Sequence, residues 1–449
     1  MTAGRVGTDL ADPQVPTSAD AALSETPRLR PRHLVRQNTV LLAGGVVSGV
    51  GGFAYHAIAG RLLGPGLYGE VASAIAAYTV LSTPYFVLVL VLAHCAATLP
   101  AQDDPGVVRG LALRASAWMA VPGGALVALA VAFAVPAAAF LQLGSPVPMV
   151  WLGVTVAVTW QLAIPRALLQ GMQRFAALSL NLTAEMVARS TSVLLLLLAG
   201  FAVAGGAAAL LVGALLSLGL GVGALRDVLR APGRPARRPS GLAGLSISAG
   251  AGTVGVLLLY NLDVVLAKHF LDAQGAGLYG GLNKIAGIVF FLTLSVSQVM
   301  FPRVVEAARL GRRPGRLLLL SALLLSLLSL VPLAVFAAEP RLVVGLLFGP
   351  AFEGAAPLLP LAGLIGLGLS LDNLLIQFFV ALRDRRYISL LVVGCGLEAA
   401  LISLHHRGVD AVVQDVLVAV FVLLLLLAAR AVVLLGRRRP FVNDALEAR

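Results

Sequence analysis

Apolar residues in this chain arrive in runs of roughly twenty, the length at which an α-helix crosses the hydrocarbon core of a bilayer. Inside lipid every backbone N–H and C=O must find its partner within the protein, so a chain built from such runs folds as a bundle of spanning helices. The runs fall at roughly 37–59, 70–97, 112–140, 149–169, 176–199 and 202–225, then 242–267, 278–301, 317–338, 356–381, 387–404 and 411–435. Charged residues make up 12% of the chain, about half of what a soluble domain carries. The stretch 342–349 is apolar but too short to span and is expected at the membrane interface.

The formal charge of +12 would point to nucleic acid in a soluble protein. Here the arginines cluster in short connections between apolar runs, which is a topology signal, and no nucleic-acid partner is expected. Counted over alternate connections, one side of the membrane collects twenty-four Arg and Lys and the other four, namely Arg61, Lys268, Arg341 and Arg407. That asymmetry predicts twelve spans in the cytoplasmic membrane with both termini cytoplasmic. Residues 1–36 hold no apolar run long enough for a signal peptide and are expected to be a disordered cytoplasmic tail, as is 437–449. Cys95 and Cys395 both sit inside apolar runs and fit no metal or disulfide pattern.

The chain also repeats itself. GPGLYGEVA (64–72), after span one, matches GAGLYGGLN (275–283), after span seven. ALLQGMQRF (167–175) and VALRDRRYI (380–388) match near the ends of spans four and ten. An offset of six spans keeps both copies in one orientation. The expected fold is therefore all-α: a polytopic membrane protein of about twelve helices in two six-helix bundles, 37–225 and 242–436, related by a pseudo-two-fold axis along the membrane normal. A basic cytoplasmic linker, 226–241, joins them.

RLLGPGLYGEVAS (61–73), LQGMQRFAALSLNLTAEMVARS (169–190) and LDVVLAKHFLDAQGAGLYGGLNKIAGI (262–288) resemble the oligosaccharide flippases of polysaccharide biosynthesis. That family belongs to the multidrug/oligosaccharidyl-lipid/polysaccharide exporter superfamily. The resemblance runs over roughly 37–435 and implies a central cavity and alternating access that moves an undecaprenyl-diphosphate-linked glycan outward. It implies membrane lipids and the lipid-linked glycan as partners, with glycan polymerases or glycosyltransferases nearby. Many members have fourteen spans, and this chain departs from them in lacking the last two.

A charged side chain near a helix centre costs about 2.5–3.5 kcal/mol on insertion scales, so each embedded charge needs a reason. Asn181, Glu185 and Arg189 recur at i, i+4, i+8 in span five and form one polar stripe. Either the pair neutralises itself and stabilises packing, or Glu185 holds Arg189 in the cleft, where its planar guanidinium grips a diphosphate. Asp263 and Lys284 lie at similar depths in adjacent spans seven and eight and are expected within about 4 Å of each other. Lys284 is also a candidate for substrate contact. Asp263, Asp372 (beside Asn373) and Glu398 are candidate proton or sodium sites, or polar contacts inside the bundle. Arg61 and Arg166 are placed at helix ends, snorkelling to headgroups or meeting phosphate. His56 in span one is either a pH-sensitive group or a packing residue. Pro84, Pro122, Pro165 and Pro332 mark positions where spans two, three, four and nine are free to kink.

No cofactor or metal is expected: there is no glycine-rich phosphate loop, no paired carboxylates on one face and no spaced histidine pair. A membrane enzyme of glycan assembly would display catalytic groups in a large loop, and none of the connections on the predicted outer side offers one. A transporter remains. Two substrates fit, a lipid-linked glycan or a small cation exchanged for protons or sodium, and cavity charge separates them.

Overall fold

The computed structural model describes residues 31–98, 105–232, 242–312 and 314–436, with side chains left out of account at 31–46, 98 and 242–249. Residues 1–30 and 437–449 and most of the basic linker therefore lie outside the described residues, while 31–36, expected to be part of a disordered tail, begin the first helix instead. The described residues are helical or lie in short turns. In chain order the elements are α1 (Pro31–Leu81), α2 (Thr83–Thr98), α3 (Pro105–Ala132), α4 (Ala134–Phe140), α5 (Val147–Gly171), α6 (Phe175–Leu198), α7 (Ala202–Ala224) and α8 (Arg226–Leu229). They continue as α9 (Leu242–Phe270), α10 (Ala273–Arg309), α11 (Gly315–Ala338), α12 (Pro340–Phe348), a 3-10 helix (Pro350–Leu358), α13 (Leu359–Ala381), α14 (Tyr387–His405) and α15 (Val409–Gly436).

Eleven of these stretches are long and apolar enough to cross a membrane, and the first, Val47–Ala97, crosses twice. It folds back at Gly64, whose φ of 68 and ψ of 175 suit only a residue without a Cβ, and Pro65 follows with no N–H to continue the ladder. The described residues thus supply twelve helical stretches able to cross, close to the positions expected. Pro84 stands one residue after a break, beyond Ser82, whereas Pro122, Pro165 and Pro332 sit inside helices that run on. The stretch expected at the interface forms α12, but its end is no surface feature: Phe348 is buried.

Within the first half, α6 packs along α1 and α7, and α5 against α2, α3 and α7. Within the second, α13 packs on α10, α11 and α15, while α14 packs on α9 and α15. Contact between halves falls mainly to α1 and α2 on one side and to α9, α10, α12 and the 3-10 helix on the other, with a smaller contact from the end of α4 to α9. The repeated turns meet each other here. A Cβ on Gly277 would stand 1.7 Å from the Pro65 carbonyl oxygen, and one on Gly69 would stand 2.9 Å from the Gly277 nitrogen. The two copies of the motif thus close one end of the molecule backbone to backbone, a contact that only glycine permits.

Candidate functional site

Below that closed end the halves diverge around a cavity of about 670 Å³. Its walls come from α1, α9 and α10: Phe53 and Thr79 from the first, Leu257 and Tyr260 from the second, Ile288 and Phe291 from the third. Among the described residues of the lining, Lys284 and His56 are the basic ones. Val50, Phe291 and Leu292 line the cavity and are also 66%, 59% and 50% exposed, so its wall is continuous with the apolar flank of the bundle.

Lys284 is buried, with its ammonium 5.0 Å above the Tyr260 ring, a cation–π contact. It makes no ion pair among the described residues, which corrects the expected Asp263–Lys284 pair. Asp263 instead accepts hydrogen bonds from the Tyr279 hydroxyl, from Asn283 Nδ2 (2.9 Å) and from the Val264 N–H (2.8 Å). Tyr279 and Asn283 are one helical turn apart and share a face, whereas Lys284 is rotated about 100° from Asn283. His56 Nδ1 is 3.1 Å from the Tyr68 hydroxyl, so it joins the cavity to the closed end above.

The polar stripe of span five lies elsewhere. Glu185 is held by two guanidiniums, those of Arg166 on α5 and Arg189 on α6. Arg166 also donates to Asn181 Oδ1 (2.8 Å), the Tyr85 hydroxyl (3.1 Å) and Ser217 Oγ (2.9 Å). Asn181 Nδ2 in turn donates to the Ser217 carbonyl at 2.6 Å. Arg189 donates to Tyr78 (3.0 Å), while its Nε has no partner among the described residues. Gly213 on α7 leaves room for it, since a Cβ there would lie 2.4 Å from Arg189 Cγ.

Two expectations change. The Glu185–Arg189 pair exists, but neither residue, nor Asn181, lines the cavity, so the cleft-facing position expected for Arg189 is not observed. Arg166 is not snorkelling at a helix end: it is 6% exposed, and its fork is spent on four partners inside the first half. A charge this thoroughly bonded gains more from those partners than from headgroups. It also leaves the loop arginine count. Arg61, by contrast, is exposed and donates to the Leu346 carbonyl of α12.

In the second half, Asp263, Asp372 and Glu398 are all buried, at 3%, 1% and 0% exposure, and none has a basic partner within ion-pair reach among the described residues. Glu398 on α14 lies beside Asp263, and neither oxygen of Asp372 has a hydrogen-bond partner among the described residues. No group of three or more metal-ligating side chains occurs among the described residues. Sequence reasoning missed Tyr78, Tyr85 and Ser217, which complete the Glu185 cluster, and Tyr260, Tyr279 and Asn283. The last two stood in the repeated motif itself, one turn apart, opposite an acidic residue.

No family model matches the sequence, and no curated protein matches it. Solved structures do. The chain is similar to an inward-facing multidrug resistance MATE family transporter of the MOP superfamily, with a TM-score of 0.70 at 13% identity over 89% of this chain and 99% of that one. It is similar to the eukaryotic MATE transporter AtDTX14, at 0.59 and 14% over 90% and 96%. It is also similar to the lipid II flippase MurJ in an inward closed conformation, at 0.63 and 9% over 87% of each chain. At these identities the likeness shows the fold: this is the polytopic helical architecture of MOP-superfamily transporters. A drug exporter and a lipid flippase both have that fold, so the fold alone does not name a function.

Proposed function

We propose that this protein is a flippase for a lipid-linked oligosaccharide, an undecaprenyl-diphosphate-linked glycan, acting by alternating access in the cytoplasmic membrane with both termini cytoplasmic. The observation that carries the reading is Lys284, a cavity cation with no ion-pair partner among the described residues. Lys284 stands in a mostly apolar wall, broken by Ser48, His56, Thr79 and Asn261, that runs out to the lipid-facing surface. An anionic headgroup attached to a hydrocarbon chain matches that pairing of one charge with continuous apolar surface. A cationic drug would meet Lys284 as a like charge. Glycan polymerases or glycosyltransferases are the expected neighbours of such a protein in the cell.

Asp263, Asp372 and Glu398 support a coupling role for the second half, because buried carboxylates without a basic partner take up a proton or sodium ion. The same three residues favour a second reading, export of small cations in exchange for protons or sodium. Reconstituted vesicles carrying a fluorescent undecaprenyl-diphosphate oligosaccharide separate the two. Flipping is expected to exceed protein-free vesicles, to fall at least tenfold in Lys284→Ala and to survive in Lys284→Arg. Wild-type vesicles that leave the lipid in place but accumulate a cationic dye under a proton or sodium gradient would establish the second reading instead.

A further inference from the structure

The closed end is more than a meeting of two turns. Each half also sends a short segment across to the first span of the other. In the second half the segment is α12 with the 3-10 helix. Its Phe348 fills a hole over Gly60 of α1, where a Cβ would meet the ring at 2.4 Å, and stacks edge-on against Phe53 and Tyr68 at 6.1 and 5.3 Å. Phe352 joins the cluster 5.6 Å from Tyr68, and the Arg61 guanidinium binds the Leu346 carbonyl above it. In the first half the segment is α4 with the turn after it. Phe140 lies flat on the His269 ring of α9 at 4.2 Å and 15°. His269 Nδ1 donates to the Phe140 carbonyl and Gln142 Nε2 donates to the His269 carbonyl, both at 2.7 Å.

The two arrangements are counterparts. The connection between spans three and four grips the end of span seven, and the connection between spans nine and ten grips the end of span one. They differ in material: Phe348 is 1% exposed and its grip is apolar, whereas Phe140 is 46% exposed and its grip relies on two hydrogen bonds and one stack. We propose that these segments are reciprocal straps, each half holding the other's leading helix, and that both must release before this end of the molecule can open. The proposal rests on the alternating-access part of the function above, not on the identity of the substrate. The α12 strap also roofs the cavity, because Phe53 belongs to both and His56 reaches Tyr68. Occupancy below and closure above therefore share side chains.

The test measures the gap itself and needs no substrate. Spin labels at Leu198 and Leu404, exposed residues at the strapped ends of α6 and α14, report the separation of the halves there, in a background with Cys95 and Cys395 replaced. The wild-type straps are expected to give one short distance. Phe348→Ala is expected to add a longer component, Phe140→Ala with Gln142→Ala a smaller one, and all three together the largest. Val121→Ala, on the lipid-facing surface, serves as the folding control and is expected to change nothing. A distribution unchanged in both strap variants overturns the proposal, as does a longer component of equal size in the control. If the strap variants open the gap while the wild type fails to flip the glycan lipid, the straps stand and the substrate reading falls.

Discussion

The Arg166–Glu185–Arg189 cluster makes a sharp prediction because its charges do not cancel. Two guanidiniums and one carboxylate leave a net charge of one inside the first half, with Glu185 2% exposed. Replacing Glu185 by Gln doubles that excess and strips both arginines of their anion. Breaking a buried pair by removing one partner costs about 3–5 kcal/mol. Against a total stability on the order of 5–15 kcal/mol, that is enough to lower abundance several-fold. Arg189→Leu works the other way. It removes the excess, and Glu185 keeps Arg166, so only the bond to Tyr78 and one ion pair are lost. Arg166→Leu lies between, since it also removes the hydrogen bonds to Asn181, Ser217 and Tyr85. The expected order of damage is Glu185→Gln, then Arg166→Leu, then Arg189→Leu. Glu185→Gln combined with Arg189→Leu, which restores the wild-type excess of one charge, is expected to be more stable than Glu185→Gln alone. Thermal unfolding followed by tryptophan fluorescence, beside quantified membrane abundance, reads all four. A Glu185→Gln protein as stable as Arg189→Leu would refute the charge argument.

Other outcomes follow from single contacts. Gly277→Ala would place a methyl group 1.7 Å from the Pro65 oxygen and is expected to abolish accumulation of folded protein; normal abundance would show that the closed end yields. The hydrogen bond from Arg174 holds the Asp227 carboxyl down at about 2, below its ordinary 3.8. Because the folded value is the lower one, this contact stabilises the protein above pH 4 and is lost as pH falls towards 2; hydrogen exchange at Asp227 and its α8 neighbours is expected to quicken over that window, and Asp227→Asn to remove the dependence. The pair is exposed, so Asp227→Asn is expected to cost no more than about 1 kcal/mol in thermal unfolding. A reporter active only outside the membrane, fused after Arg449, is expected to stay silent, and a strong signal would reverse the orientation read from the arginine count.

The crossings were legible because bilayer thickness dictates their length, and length is a property of the sequence alone. The short connections were legible as the gaps between runs, and the fold-back at Gly64–Pro65 falls inside the first of them. The straps were not. Phe348 looked interfacial because hydropathy over 342–349 measures length and not destination, and its destination is a hole created by Gly60, 288 residues earlier. Arg166 was misplaced similarly. Counting residues put it at a helix end, while the residues that hold it, Tyr85, Asn181 and Ser217, lie on three other helices.

The Asp263–Lys284 error shows what would have been needed, which is the rotation of α10 about its own axis. Gly277 fixes that rotation by pressing its bare face against Pro65 of the other half. At about 100° per residue, Lys284 comes back to within about 20° of Gly277 after two turns, so it must face the other half and hence the cleft. Ile288 and Phe291 return close to the same direction, and both line the cavity with it. Tyr279 lies on the far side of the helix from Gly277, and Asn283 well round towards it, both turned to α9 and Asp263. One glycine in a repeated turn thus decides which residues of the helix serve the cavity and which serve the buried carboxylates. A substitution that rotates α10, rather than one that changes Lys284, is what would exchange the two roles.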